Sequence, residues 1–247
     1  MFQVSVFYQS PSDPVGFDEH YSTVHREIVS RLPGLRHATI NWPQPAPDAK
    51  PAPYHVVTVL YWDDRESALR ALAGPVGQEA AADTETLPRA DSFTVFAESE
   101  AKVPFTKFEE GLEICGVLGL YAKPADEGSF RRHYDQTHSV LAAKMPRQAA
   151  FTVSWTTTAP DGTVPPYHLI GNQEWKTQED LEFCLASPEA AAAIADLGTF
   201  ADGGMTMLLC RTLVVVSAHT DLCGRSAERS TRIHSLTVWR STRRRWE

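Results

Sequence analysis

The sequence predicts an α+β protein built from two copies of one module. When the chain is shifted by 113 residues, 4–96 aligns with 117–209 without a gap. The match brings uncommon residues into register: His20/His133, His25/His138, His55/His168, Trp42/Trp155 and Trp62/Trp175. Helical or strand periodicity alone does not place histidine and tryptophan in register, so we interpret the match as a duplication.

Each copy alternates β-rich segments with segments of helical periodicity. The first copy predicts strand 2–9, helix 17–32, strands 35–42 and 54–62, helices 64–73 and 75–86, and strand 92–98. The second predicts strand 115–122, helix 129–145, strands 149–157 and 167–175, helices 177–186 and 188–197, and strand 205–216. Pro33-Gly34 ends the first helix, and Gly74-Pro75 breaks the second. This order of elements, βαββαβ, is the ferredoxin-like arrangement.

The predicted strands are apolar on both faces, as residues 56–61 illustrate. Such strands belong to sheets that are covered on both sides. Because both helices of a module cover the same face, the other face needs a partner layer. We therefore expect the two modules to pack sheet to sheet in one barrel-like body with pseudo-twofold symmetry. The predicted units are module 1–98, linker 99–113, module 114–216 and tail 217–247.

Composition and charge exclude several classes of protein. The 247 residues are 43% hydrophobic and 22% charged, which excludes a disordered chain, a collagen and a coiled coil. The net charge of −8 argues against a nucleic-acid partner. That charge is uneven, because the arginine-rich tail carries +4, and we interpret the tail as a solvated appendage.

The chain carries no sign of a membrane or secretory segment. No run of 18 apolar residues is present, so no membrane association is expected. The N-terminus lacks a basic region and reads as a strand. The four cysteines show no CxxC spacing and suit a reducing compartment, so we expect a cytoplasmic protein.

An ordered set of residues, found in both halves, resembles the EthD family. The second half carries it in Phe130, Tyr134, His138, Pro166-Tyr167, Trp175, Ser187-Pro188-Glu189, Asp196 and Phe200. The first half carries it in Phe17, Tyr21, His25, Pro53-Tyr54, Trp62, Pro75 and Asp83, and departs from it at Leu87. The resemblance implies a dimeric α/β barrel, which two fused modules would complete within one chain. Further homodimerisation of the fused unit is left open.

Two tyrosine–histidine pairs are the candidate catalytic residues. Tyr21 and His25 are four residues apart on a predicted helix and share one face, as do Tyr134 and His138. An imidazole accepts a proton near neutral pH, and a phenol donates a hydrogen bond. The alternative is that both side chains fill the edge of the core.

Other polar and aromatic residues extend this candidate site. Asp83 and Asp196, late in the alanine-rich helices, either orient an imidazole or make local backbone bonds. The candidates for substrate binding, with burial in the core as the alternative, are His55, His168, Trp42, Trp155, Phe17 and Phe130. His20 and His133 lie about 100° around an α-helix from the tyrosines, so we expect them to face another environment.

The sequence favours neither a metal nor an organic cofactor. His20 and His25 are five residues apart, and HExxH, P-loop, GxGxxG and GxSxG motifs are absent. Haem stays open, because a single axial histidine, His138 or His25, leaves no spacing pattern. The halves also differ in charge, since Asp18, Glu19, Arg26 and Glu27 are replaced by Arg131, Arg132, Ser139 and Val140. We therefore expect His25 and His138 to contribute unequally.

These observations lead to one functional hypothesis and two alternatives. The hypothesis is a cofactor-independent isomerase, cyclase or lyase that moves a proton on a small apolar carbonyl or aromatic compound. One alternative is an oxidoreductase, a monooxygenase or haem-using protein, as the link of the EthD family to ether degradation implies. The other is a non-catalytic binder of hydrophobic small molecules.

Overall fold

A computed structural model describes residues 1–45 and 51–217 of the chain. The predicted tail therefore lies, except for Ser217, outside the described residues. Within them, no helix combines the length and the apolar character that crossing a membrane requires. We call residues 1–112 the first half and residues 113–217 the second half.

The two halves have the same order of elements. The first half contains β1 (Phe2–Tyr8), α1 (Pro14–His20), a π-helical turn (Tyr21–His25), α2 (Arg26–Ser30), β2 (His37–Pro43), β3 (Val56–Trp62), α3 (Arg65–Ala73), α4 (Pro75–Thr84) and β4 (Ser92–Val103). The second half contains β5 (Glu113–Tyr121), α5 (Glu127–His133), a π-helical turn (Tyr134–His138), α6 (Ser139–Ala142), β6 (Gln148–Thr157), β7 (Leu169–Trp175), α7 (Gln178–Leu185), α8 (Pro188–Phe200) and β8 (Met205–Val216). One boundary differs clearly from the expectation: β4 continues to Val103, into the segment predicted as a linker.

The eight strands close into one antiparallel barrel in the order β1-β3-β2-β8-β5-β7-β6-β4. This confirms the α+β class and the single barrel-like body. Two seams join the halves by main-chain pairing: β2 with β8, where Asn41 faces Thr212, and β4 with β6, where Glu98 faces Trp155. Because every strand has two neighbours, the described sheet has no free edge.

Alternation along the strands separates the barrel interior from two outer cores. Inward side chains include Phe7, Tyr61 and Ile170, which belong to one apolar cluster. Buried polar residues complete the interior, and His37 Nε2 lies 3.0 Å from Glu174 Oε1 across the two halves. The outward faces pack against the helices, so each half has a separate helix–sheet core.

The closed barrel makes the stability of one half depend on the other. Trp62 is fully buried in the first helix–sheet core, and its indole donates to the Pro33 carbonyl at 3.0 Å. We expect Trp62→Ala to lower the free energy of unfolding by about 3–5 kcal/mol, because it leaves a large cavity. Urea unfolding should stay a single transition, and hydrogen exchange should show weaker protection in the strands of the second half as well. Val164→Ala, at a side chain that is 77% exposed, is the control and should change little. A second half that unfolds separately, with wild-type stability, would contradict a shared barrel.

Candidate active site

In each half, one aspartate contacts two histidines. Asp83 on α4 lies 2.8 Å from His20 Nε2 through one carboxylate oxygen and 2.8 Å from His25 Nδ1 through the other. In the second half, Asp196 on α8 lies 2.9 Å from His133 Nε2 and 3.0 Å from His138 Nδ1. The two clusters are thus built from residues that the 113-residue shift superimposes.

The π-helical turns bring each pair of histidines together. The amide of Arg26 donates to the carbonyl of Tyr21, and that of Ser139 to Tyr134, five residues back instead of four. In a regular α-helix, residues five apart lie about 140° from each other around the axis. The wider turn places them on one face. His20 and His133 are more exposed than the neighbouring tyrosines, as expected, but they share an aspartate with His25 and His138, which an uninterrupted α-helix does not predict.

Burial and the carboxylate set the protonation of the site. Burial lowers the pKa of His138, although the hydrogen bond to Asp196 acts in the opposite direction. Burial opposes ionisation of Asp196, yet the two histidine contacts hold the pKa of its carboxyl below the usual value. Near neutral pH, Asp196 is thus a carboxylate that accepts a hydrogen bond from the Nδ1–H group of a neutral His138. The Nε2 lone pair of His138 stays available as a proton acceptor.

Tyr121, at the end of β5, forms a hydrogen bond with this nitrogen of His138. Its hydroxyl lies 3.2 Å from His138 Nε2. Burial raises the pKa of Tyr121, so the phenol stays protonated and donates to the imidazole. Asp196, His138 and Tyr121 therefore form a hydrogen-bonded chain, which we call the relay. Sequence reasoning missed Tyr121, although it matches Tyr8 in the shifted alignment.

The relay borders a cavity between the outward face of the second half and its helices. The volume of this cavity is about 60 Å³, and its wall is mainly apolar. Strands contribute Val117, Gly119, Tyr121, Phe151, Gly171, Gln173, Trp175, Met205 and Met207, and helices and their ends contribute Tyr134, His138, Ala142, Met145, Leu185, Ala193, Ile194 and Leu197. The catalytic candidates Tyr134 and His138 thus lie on the wall, and Asp196 supports them from behind.

Three small residues distinguish this wall from the matching surface of the first half. Gly119, Gly171 and Ala142 stand where the first half has Val6, Thr58 and Val29. A Cβ added at Gly171 would lie 3.3 Å from the Tyr134 hydroxyl. In the first half, the hydroxyl of Thr58 fills this place and lies 2.7 Å from the hydroxyl of Tyr21. Beside Tyr21, His25 and Asp83, these three positions are therefore filled by larger side chains, and a pocket of that half opens elsewhere, between Tyr8 and Leu87.

None of the six residues predicted to bind substrate lies on the wall of this cavity. In the first half, Trp42 Nε1 and His55 Nε2 both contact Asp18, at 2.9 and 2.8 Å. In the second half, Trp155 and His168 pack against Phe130, and Arg131 lies over the Trp155 ring at 4.6 Å. Phe17 likewise stacks on Tyr21. These side chains meet at the start of the first helix in each half, beside the tyrosine, and Phe130 also packs edge-on against Tyr121 of the relay.

Phe200 covers the second cluster from outside. Its ring centroid lies 4.9 Å from those of both His133 and His138. The first half has Leu87 at this position, which is the departure noted in the sequence. Within the described residues, no group of three or more histidine, cysteine or acidic side chains is arranged to hold a metal ion.

Comparison with known proteins agrees with the shared architecture. The model of the EthD domain matches residues 10–88. An uncharacterised 11.0 kDa protein of Rhodococcus erythropolis, from the thcB-thcC intergenic region, is 31% identical over 104 residues, which span 42% of this chain and all of that protein. The chain belongs to the EthD family. Because the relative is less than half as long, this EthD protein contains enough chain for a second unit of that size.

Solved structures share the fold at low sequence identity. A provisionally named monooxygenase from Fusobacterium nucleatum superimposes with a TM-score of 0.63 at 6% identity, over 86% of this chain and 92% of that one. An anthrone oxidase-like protein superimposes with a TM-score of 0.56 at 12% identity, over 87% and 93%. At these identities, the likeness establishes the barrel fold.

The electrostatics of the site predict how His138 titrates. Its pKa should lie below 6.5, and Asp196→Asn should lower it further, because the carboxylate is the group that favours the imidazolium. Nitrogen-15 NMR of the histidine rings measures both the pKa and the tautomer. Asp83→Asn is the matched control and should change His25 while leaving His138 unchanged. A rise in the His138 pKa in Asp196→Asn would contradict this account of the site.

Proposed function

We propose that this EthD protein is an enzyme that removes a proton from a small apolar carbonyl or phenolic compound, without an organic cofactor. The observation that carries the proposal is the relay, which borders an apolar cavity in the second half. A neutral imidazole that is fixed by a carboxylate is a general base. The apolar wall selects the substrate and strengthens electrostatic interactions at the reacting atoms.

The relay supplies a balanced route for one proton. The oxygen of Tyr121 accepts the acidic proton of the substrate while its own proton passes to His138 Nε2, 3.2 Å away. Asp196 stabilises the resulting imidazolium through Nδ1. Tyr134 is buried and protonated, and its hydroxyl stabilises the oxyanion that forms on the substrate. If the proton returns to another carbon of the substrate, the reaction is an isomerisation. If the deprotonated substrate loses a leaving group instead, the reaction is an elimination.

We also propose that the chain arose by fusion of two ferredoxin-like modules, over 1–98 and 114–216. Each half orders its strands as fourth, first, third and second, and each holds an aspartate bridged to two histidines. Fusion frees the two sites to diverge. We assign catalysis to the second half, because the first half has larger side chains at the three positions that open the cavity.

Haem is not part of this proposal. His138 Nε2, the atom that would ligate the iron, is engaged by Tyr121 in this structure, so an iron there would have to displace that hydroxyl. An oxidoreductase that uses dioxygen directly is the second candidate, which the monooxygenase and oxidase names of proteins with this fold favour. Dioxygen consumption that depends on both a phenolic substrate and His138 would support it.

The proposed proton transfer predicts a specific dependence on one of the two matched histidines. In deuterium oxide, the protein should accelerate exchange at the acidic carbon of one-ring ketones such as 1-phenylpropan-2-one, measured by proton NMR. His138→Gln should reduce the rate by about 10²–10⁴-fold, because the general base is lost.

His25→Gln provides the matched control and should leave the rate nearly unchanged, since larger side chains close the matching cavity in that half. Equal losses in the two variants would contradict the assignment to the second half. A ligand that binds without exchange or product would favour the non-catalytic binder.

A further inference from the structure

We infer that Gln173 selects a one-ring ligand with two oxygen functions, one for the relay and a second for the Gln173 amide. This inference rests on the proposed function, because it assumes that the cavity of the second half takes the substrate. It adds what the relay alone does not define, namely the chemistry at the far end of the ligand.

Gln173 is an exception on an apolar wall. It lies on β7, faces outward beside Val117 and Trp175, and is only partly buried. The residue at the matching position of the first half is Leu60, which is 4% exposed and packed in the core. The second half thus has a polar side chain, Gln173, at a position where the first half folds with an apolar one.

The amide of Gln173 lacks a strong partner within the described residues. Its Nε2 donates to the sulfur of Met145 at 3.6 Å, and a thioether is a weak acceptor. A ligand carbonyl is a much better acceptor, and an enclosed apolar wall favours such a bond. The amide of Gln173 can therefore donate a hydrogen bond to an oxygen atom of the ligand.

The spacing along β7 sets the distance between the two polar ends. Gly171 and Gln173 are two residues apart on the same face of the strand, which separates them by about 7 Å. The hydroxyl of Tyr134 lies over Gly171. An oxygen at the tyrosines and an oxygen at Gln173 are thus separated by about the span of one aromatic ring.

The rest of the wall suits a ring between these two ends. Three of the four methionines of the chain, Met145, Met205 and Met207, line the cavity, together with Phe151 and Trp175. Thioethers pack favourably against aromatic rings and adapt to their outline. At the rim, Ile194 and Met207 are 47% and 44% exposed, so the entrance is apolar too.

Two ligands of matched size test the inference: 4-hydroxybenzaldehyde and 4-vinylphenol, which differ only in a carbonyl oxygen against a methylene group. Calorimetry should show that the wild-type protein binds the aldehyde about 10-fold more tightly, as one hydrogen bond in an apolar site allows. In Gln173→Met, which keeps the length of the side chain, this preference should disappear while the affinity for 4-vinylphenol is kept. Gln173→Leu, which installs the residue of the first half, is a second variant with the same expectation.

Gly171→Thr separates failure of the inference from failure of the proposed function. This substitution fills the cavity as Thr58 does in the first half, so it should abolish binding of both compounds. If the preference for the aldehyde is absent in the wild type or persists without Gln173, while Gly171→Thr still abolishes binding, the inference is wrong and the proposed cavity stands. If Gly171→Thr binds both compounds like the wild type, or if neither compound binds the wild type, the proposed function fails as well.

Discussion

The contact of one partly buried aspartate with two histidines five residues apart organises the candidate site. Asp196 ties α8 to the end of α5 through His133 and to the π-helical turn after α5 through His138. These two elements are the ones that stand above the cavity. The same bond fixes which nitrogen of His138 carries the proton, so one interaction defines both the shape of the cavity and the chemistry of its base.

This interaction occurs twice, once in each half, and the packing around it differs between the two halves. The first half fills the surface beside its cluster with Val6, Thr58 and Val29, and Thr58 takes the hydroxyl of Tyr21 as its partner. The second half places Gly119, Gly171 and Ala142 there, so the buried hydroxyl of Tyr134 lies over Gly171 at the cavity wall, beside Tyr121. The fold survives in both cases because the closed barrel and the tryptophans of the two outer cores, Trp62 and Trp175, are common to them.

Features that leave a pattern over many residues were predictable from this sequence, whereas features that depend on one or two residues were not. The strand and helix order and the closed barrel were predictable, because the 113-residue match and strands that are apolar on both faces, such as β3, are visible in the sequence. The meeting of His20 and His25 at one aspartate was not predictable. It depends on a single extra residue in one helical turn, which apolar periodicity does not reveal. The cavity was not predictable for a related reason: it arises from small side chains, such as Gly171, which leave no pattern in the sequence that distinguishes them from other small residues. Tyr121 was within reach, because it keeps its match with Tyr8.

The assignment of catalysis to one half depends most on the apolar cavity beside His138 and on its closure in the other half by the larger Val6, Thr58 and Val29. Diffraction from a crystal pressurised with xenon measures this directly, because xenon enters apolar cavities and scatters strongly. We expect a strong xenon peak beside Gly171 and Gly119, within reach of His138, and no comparable peak beside Thr58 and Val6. Peaks of equal strength in the two halves, or a peak only in the first, would contradict the central claim that a single half carries the site.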